Sequence, residues 1–240
     1  MELLLCMNNT IVETNVTTGN ETIPFTIPFS LFDTYVLKAF YKGFKVYEEK
    51  IPLLKKNINI NLELYDLTIN VKDKIGFPPG VNVKPTLISP EMIQQNKILS
   101  KKLTSGKFLF EKLPRASYIL YLSYGGFSNE KSIKIPEDCI IDVDFTAMFN
   151  LRTSLLDSHG NPVNIENQKI DVLRDGETVF RSIPVDEVLS LPPGEYTIHV
   201  FSDEKIIGIK NFDLTNDKNI KICRYRIKRS SSRSFPERTF

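Results

Sequence analysis

Along much of this chain apolar and polar residues alternate one by one, the period of a strand with one buried face. Ile58-Asn59-Ile60-Asn61-Leu62-Glu63-Leu64 alternates strictly and predicts such a strand. Thr22 to Phe29 and Tyr35 to Tyr41 read as strands before it. In the first of these Pro24 and Pro28 remove amide donors, which places it at a sheet edge or in an extended link with weak pairing. Further along, Ile170 to Arg174 and Thr178 to Arg181 flank Asp175-Gly176, a strong two-residue hairpin signal. Glu91 to Leu103 breaks the pattern and reads as one short helix or a long loop. Long insertions on a rigid sandwich are where binding function is usually carried, so this irregular segment is the one of most interest.

The pattern also repeats. Leu191-Pro192-Pro193-Gly194-Glu195-Tyr196-Thr197-Ile198-His199-Val200 has a looser copy in Leu113-Pro114-Arg115-Ala116-Ser117-Tyr118-Ile119-Leu120-Tyr121-Leu122, each a Pro-bearing turn feeding an alternating strand. Tyr35 aligns with Tyr118, after which Tyr41, Gly43 and Phe44 meet Tyr124, Gly126 and Phe127, so strand and then Tyr-x-Gly-Phe recur. Two segments open alike, with a strand followed by Asp73, Gly76 and Pro78 in one and Asp157, Gly160 and Pro162 in the other. Asp accepts the amide hydrogens of the turn it starts, Gly permits positive φ and Pro fixes the exit, so turn chemistry accounts for all three.

Composition adds limits. Apolar residues at 41% and charged residues at 25% suit a soluble globular chain, and 240 residues suit two or three modules. Net charge is +2, but Lys221 to Phe240 holds seven basic residues against Glu237, which leaves a body of −4 and no general reason to expect nucleic acid as partner. That tail loses apolar alternation after Ile227, and its serine-rich core predicts disorder from Arg224 on. Cys6, Cys139 and Cys223 form no CxxC pair and indicate neither zinc nor a disulfide framework. Cys139 shares a face with Ile141, Val143 and Phe145 and is expected as a buried thiol. No apolar run is long enough to cross a bilayer, and Leu3 to Met7 is too short for a signal-peptide core. Asn8, Asn15 and Asn20 each begin an Asn-x-Thr sequon, a pointer to a surface if the chain is exported.

On these motifs the chain resembles the carboxypeptidase-regulatory-like family, a transthyretin-like β-sandwich. The residues that carry the resemblance are Gly106, Phe108, Phe110, Leu113-Pro114, Tyr118 and Gly126-Phe127 in one copy. In the other they are Asp157, Gly160, Pro162 and Leu191 to Tyr196. The second copy has Ser202-Asp203-Glu204-Lys205 where a Gly-Phe turn is expected. The resemblance covers about Leu67 to Ile222, with the first segment joining from Tyr35. It implies a fold and no catalytic residues.

Little in the sequence suggests chemistry. His159 lies in the Asp157 turn and His199 on the outer face of its strand, with no nucleophile or ligand cluster beside either. Asp142 and Asp144 share one face of a strand, opposite Ile141, Val143 and Phe145, and read as a solvated face. No phosphate-cradling glycine motif occurs. No catalytic, cofactor-binding or metal residue is therefore expected, and no cofactor. Tyr121 and Phe201, on the outward side of corresponding strands, are the candidates for contact with a ligand or a neighbouring module.

The expectation is an all-β chain of tandem Ig-like, transthyretin-like antiparallel β-sandwich modules. Residues 1–65 form an incomplete or divergent module, 66–147 and 148–223 complete ones, and 224–240 a basic tail, with links at the Asp66 region and Thr146-Ala147-Met148. The expected role is non-enzymatic: a structural, adhesion or spacer array of a cell-surface or secreted protein, or a piece of one, although no signal peptide is present. Its partners would be neighbouring modules of the same chain and protein or glycan surfaces, without nucleic acid or a transmembrane segment. The alternative is an accessory or carbohydrate-binding region of a larger secreted hydrolase.

Overall fold

The computed structural model describes residues 1–19, 21–27, 33–52, 57–93, 96–163 and 168–223, and all regular structure among them is β. The chain divides into two compact units, Met1–Asp73 with Asn82–Phe145, and Lys74–Val81 with Thr146–Phe240.

The first unit starts with β1 (Glu2–Met7) and β2 (Thr10–Val16), joined through Asn8-Asn9 at φ 48° and 70°. Asn tolerates the left-handed region, and the hairpin needs two such residues in succession. With β3 (Tyr35–Tyr41) and β4 (Phe44–Lys50) they form one sheet in the order β2-β1-β3-β4. Leu3, Leu5, Cys6, Tyr35, Leu37, Ala39 and Phe44 are its buried residues. Residues 21–27 and 57–63 belong to no strand, so the alternation of Ile58 to Leu64 yields half-buried isoleucines without a ladder until Leu64. Pro28 and Phe29, read as the end of the earlier strand, lie outside the described residues, as does the tail 224–240.

The rest of that unit is a sandwich. Its strands are β5 (Leu64–Asp73), β6 (Thr86–Ile88), β7 (Ile98–Leu99), β8 (Lys101–Thr104), β9 (Lys107–Pro114), β10 (Ala116–Tyr124), β11 (Phe127–Ile135) and β12 (Ile140–Phe145). One sheet runs β11-β10-β6-β7 and the other β12-β5-β9-β8. Leu67, Ile69, Val71, Phe108 and Phe110 from one sheet bury with Leu87, Tyr118, Leu120 and Leu122 from the other. Tyr124 meets Phe145 edge-on across the gap, ring centroids 6.4 Å apart. The described part of Glu91 to Leu103 is neither helix nor long loop. It holds β7 in one sheet and enters β8 in the other, crossing at Ser100, whose hydroxyl donates to Pro85 O at 2.9 Å.

The second unit holds β13 (Phe149–Leu156), β14 (Lys169–Arg174), β15 (Glu177–Pro184), β16 (Leu189–Leu191), β17 (Gly194–Ser202), β18 (Lys205–Leu214) and β19 (Lys218–Cys223). Its sheets, β16-β13-β19 and β15-β14-β17-β18, repeat the plan of the first sandwich strand for strand, with β8 as the first sandwich's addition. In both, the opening strand pairs antiparallel with the strand before the Pro turn and parallel with the last strand: Ile69 faces Ile141, and Thr153 faces Ile220. Alternation marks a buried face whichever way the neighbour runs, so the parallel pairs were not legible in an otherwise antiparallel reading. Asp66 lies inside β5, and Ala147 is fully buried.

Candidate functional site

The Pro turns serve to seat a tyrosine. Tyr118 and Tyr196 are buried, at 1% and 2% exposure, and each donates its hydroxyl to a carbonyl four residues back, Pro114 O and Pro192 O, at 2.7 Å in both. This tyrosine corner gives a backbone carbonyl of the turn a buried hydroxyl donor. Burial, and after it the Glu91 carboxylate, pushes the Tyr118 phenol well above its ordinary range. Glu91 itself accepts the Ser117 amide at 2.8 Å, while the buried Ser89 donates its hydroxyl to Ser117 O at 2.6 Å. The start of the irregular segment is thus fastened beside the corner. Ile93 N also reaches Gly43 O at 2.9 Å, and the Phe44 and Tyr118 rings lie 5.5 Å apart, so the 41–44 turn packs on the same place.

With Tyr118, Leu120 and Leu122 held inward, the odd positions between them face out. Tyr121 is half-buried there, in a row with Thr86 on β6, Leu99 on β7 and Glu130 on β11. Ile119 and Ile88 form the next row. Leu99, 73% exposed, ends the row at the sheet edge. It lies in the segment read as helix or loop, where no alternation marks an outward side chain. In the second unit β17 repeats the arrangement. Phe201 is half-buried between Lys169 and Ile206, and His199 sits between Asp171 and Ile209, its ring 6.5 Å from that of Phe201. Tyr121 and Phe201 belong to separate units, and each is described on its own sheet.

Several of the remaining titratable residues that stood out in the sequence are engaged by turns and neighbours. Asp157 accepts the amides of His159 at 2.8 Å and Asn161 at 2.9 Å, and these bonds, the Asn161 amide foremost, hold its carboxyl below the ordinary range. Gly160 sits there at φ 84° and Gly76 at 89° in the matching turn. His159 lends that turn its backbone. Asp142 and Asp144 are exposed, and Asp142 accepts from the Asn70 amide at 2.9 Å. Cys6 is buried, Cys223 is exposed, and Cys139 is half-buried, not buried as expected, because it precedes the strand whose face it was assigned to. Its thiol donates to Pro136 O at 3.0 Å. Asn8, first of the sequon residues, is engaged by Asp33 Oδ1 at 2.7 Å and by the Thr34 amide at 3.1 Å.

No protein-family model matches the chain, and no curated protein matches its sequence. Among solved structures it is similar to the Bacillus anthracis TIE protein, at 17% identity and a TM-score of 0.35, over 92% of this chain and 47% of that one. It is also similar to a streptococcal ancillary pilin, at 10% identity and a TM-score of 0.26, over 80% of this chain and 75% of that one. A third is the major pilin subunit of Bacillus cereus, at 9% and 0.27, over 68% and 69%. The chain spans about half the length of the first of these. Scores this low carry no argument, and the β-sandwich assignment rests on the sheets themselves.

Proposed function

We propose that the chain is a non-enzymatic structural, spacer or adhesion region of a cell-surface or secreted protein. In this reading it is built from carboxypeptidase-regulatory-like, transthyretin-like modules at 66–147 and 148–223, preceded by a divergent one at 1–65. The observation that supports it is the strand plan made twice, corner for corner, with Tyr118 and Tyr196 in the same bond. A unit repeated for its shape, with its polar side chains engaged by its own backbone, suits holding and presenting better than turnover. The partners of such a region are neighbouring modules and protein or glycan surfaces. The test is to treat intact source cells with a membrane-impermeant biotin reagent and an external protease, and to follow the native protein. Labelling and cleavage on intact cells support the reading. Full protection until the cells are lysed overturns it, as does hydrolytic turnover by the purified chain.

A second reading, as a carbohydrate-binding or accessory region of a larger secreted hydrolase, is favoured by the half-exposed rings of Tyr121 and Phe201 on outer faces. It expects glycan-array binding that disappears in the Tyr121→Ala, Phe201→Ala double variant. Binding retained by that variant counts against both residues.

A further inference from the structure

At the flank of the first sandwich, where the chain leaves β7 and enters β8, the two sheet edges stand apart around a cleft of about 310 Å³. Its apolar lining includes Val83 and Phe108, 2% and 5% exposed, with Pro85 behind them and the exposed Leu99 at the rim. Lys84 and Lys102 also line it. Lys102 is the ladder partner of Phe108, which sets this exposed lysine beside that ring at the mouth of the cleft. Among the described residues neither lysine makes an ion pair. The surroundings strengthen their charge. Residues 82–110 hold Lys84, Lys97, Lys101, Lys102 and Lys107 against a single acid, Glu91, which the Ser117 amide engages, while the body as a whole is net negative. Beside the cleft, β8 pairs only with β9 among the described strands, which leaves the backbone groups of its other side open.

We propose that this flank binds an extended acidic peptide segment, which adds as a strand along the open edge of β8 and places a glutamate side chain in the cleft. The fit is chemical. The methylene stem of glutamate matches Val83, Pro85 and Phe108, and its carboxylate matches the two lysines that line the same cleft. Strand addition takes its affinity from main-chain bonds and its selectivity from a pocket for alternate side chains. Lysines on an edge repel basic strands and deter self-pairing, while an acidic strand relieves the same charge, so one device rejects the wrong partner and admits the right one. The proposal depends on the geometry of the first unit and stands whether or not the protein is a surface array.

The test uses the full chain, labelled with nitrogen-15, and three probes: a blocked pentapeptide alternating valine and glutamate, its valine–glutamine twin, and free glutarate. The expected result is saturable binding of the glutamate peptide with amide shifts at Lys101 to Thr104 and at Phe108. Half-molar salt and the Lys84→Gln, Lys102→Gln double variant should each weaken binding by roughly tenfold, the size expected of two partly exposed charge pairs. Both positions are exposed, so the variant keeps the amide spectrum of the parent. Equal binding of the glutamine twin would remove the carboxylate from the argument and overturn the proposal. Glutarate binding as tightly as the peptide, with β8 amides unmoved, would reduce the cleft to a small-carboxylate site and overturn strand addition. Absence of shifts at millimolar peptide overturns it entirely.

Discussion

Single residues in this protein are chosen above all for the sign of φ. Three two-residue hairpin turns hold positive φ at both positions with Gly second, at Gly43, Gly126 and Gly176, φ 83°, 86° and 83°. The β17–β18 turn is built the same way from Asp203 and Glu204, at φ 48° and 64°. The sequence read as lacking the turn because the glycine is missing. The backbone makes it regardless, since only positive φ at both places matches the twist of the flanking strands. Glu204 therefore sits in a conformation that L side chains disfavour, and Glu204→Gly should stabilise the second unit by about 0.5–1 kcal/mol in urea unfolding. A loss of stability would mean that the Glu204 side chain makes contacts worth more than the strain. The corner tyrosines, by contrast, were legible from the repeat. Tyr118→Phe should cost about 1–2 kcal/mol, since it removes a buried hydrogen bond to the Pro114 carbonyl. The same residue sets a pH dependence. Its folded pKa is raised, by burial first and Glu91 second, so the neutral phenol is the stabilising form. That contribution is complete below the unfolded value of about 10 and declines as pH rises above it. Tyr47 acts in the same sense, pushed up to about 12 by burial and its bond to Glu49. Stability measured by unfolding at rising alkaline pH should fall less steeply in Tyr118→Phe than in the parent, and equal slopes would remove Tyr118 from the account.

At the level of elements, strands and their ends were read from alternation and turns. Tyr35 to Tyr41 is the strand β3, and Asp175-Gly176 joins β14 to β15. Pairing direction and sheet membership were not legible, because they depend on where the chain crosses between layers. Two bulges share a device of this non-local kind. Asp66 on β5 accepts the amide of Lys112, at φ 52°, and Asp171 on β14 accepts the amide of Ser182, at φ 57°, at 2.8 and 2.7 Å. In each, a neighbouring-strand carboxylate pins a residue that the ladder has released. Asp171→Ala should destabilise by about 1 kcal/mol, one net hydrogen bond to an amide. Adding Ser182→Gly should recover much of that loss, because the glycine holds positive φ without help. If the glycine deepens the loss instead, the bulge is held by something other than its carboxylate.

Across the whole molecule, linear order and compact units part company at Lys74–Val81. In sequence these residues lie between β5 and β6, yet they belong to the second unit. Arg174, 2% exposed, organises them: its Nη2 donates to Pro78 O at 2.8 Å, and its guanidinium lies 5.3 Å from the Phe77 ring and 5.5 Å from that of Tyr196. An arginine at the edge of an Asp-Gly hairpin reads in sequence as a solvated charge, and no alternation or turn motif marks it as buried. Gly80 was equally silent, and Gly194 was marked only as part of the Pro-bearing turn, because the role of both here is close approach. A methyl group on Gly80 would fall 2.5 Å from the Gly194 Cα and 3.0 Å from Pro193 O, against backbone that cannot yield. One on Gly194 would meet the Arg174 guanidinium carbon at 3.2 Å, the far end of a long side chain. The order of effects follows from which obstacle can move. Gly80→Ala should cost about 2–3 kcal/mol, since it displaces the segment and strips partners from a buried guanidinium, and Gly194→Ala should cost about 1 kcal/mol. Trypsin cleavage after Lys74, compared with cleavage elsewhere in the chain, should accelerate in Gly80→Ala well beyond its rate in Gly194→Ala. The reverse order, or unchanged cleavage in both, would show that the segment is not held by this close approach, and Arg174 would need a different explanation for its burial.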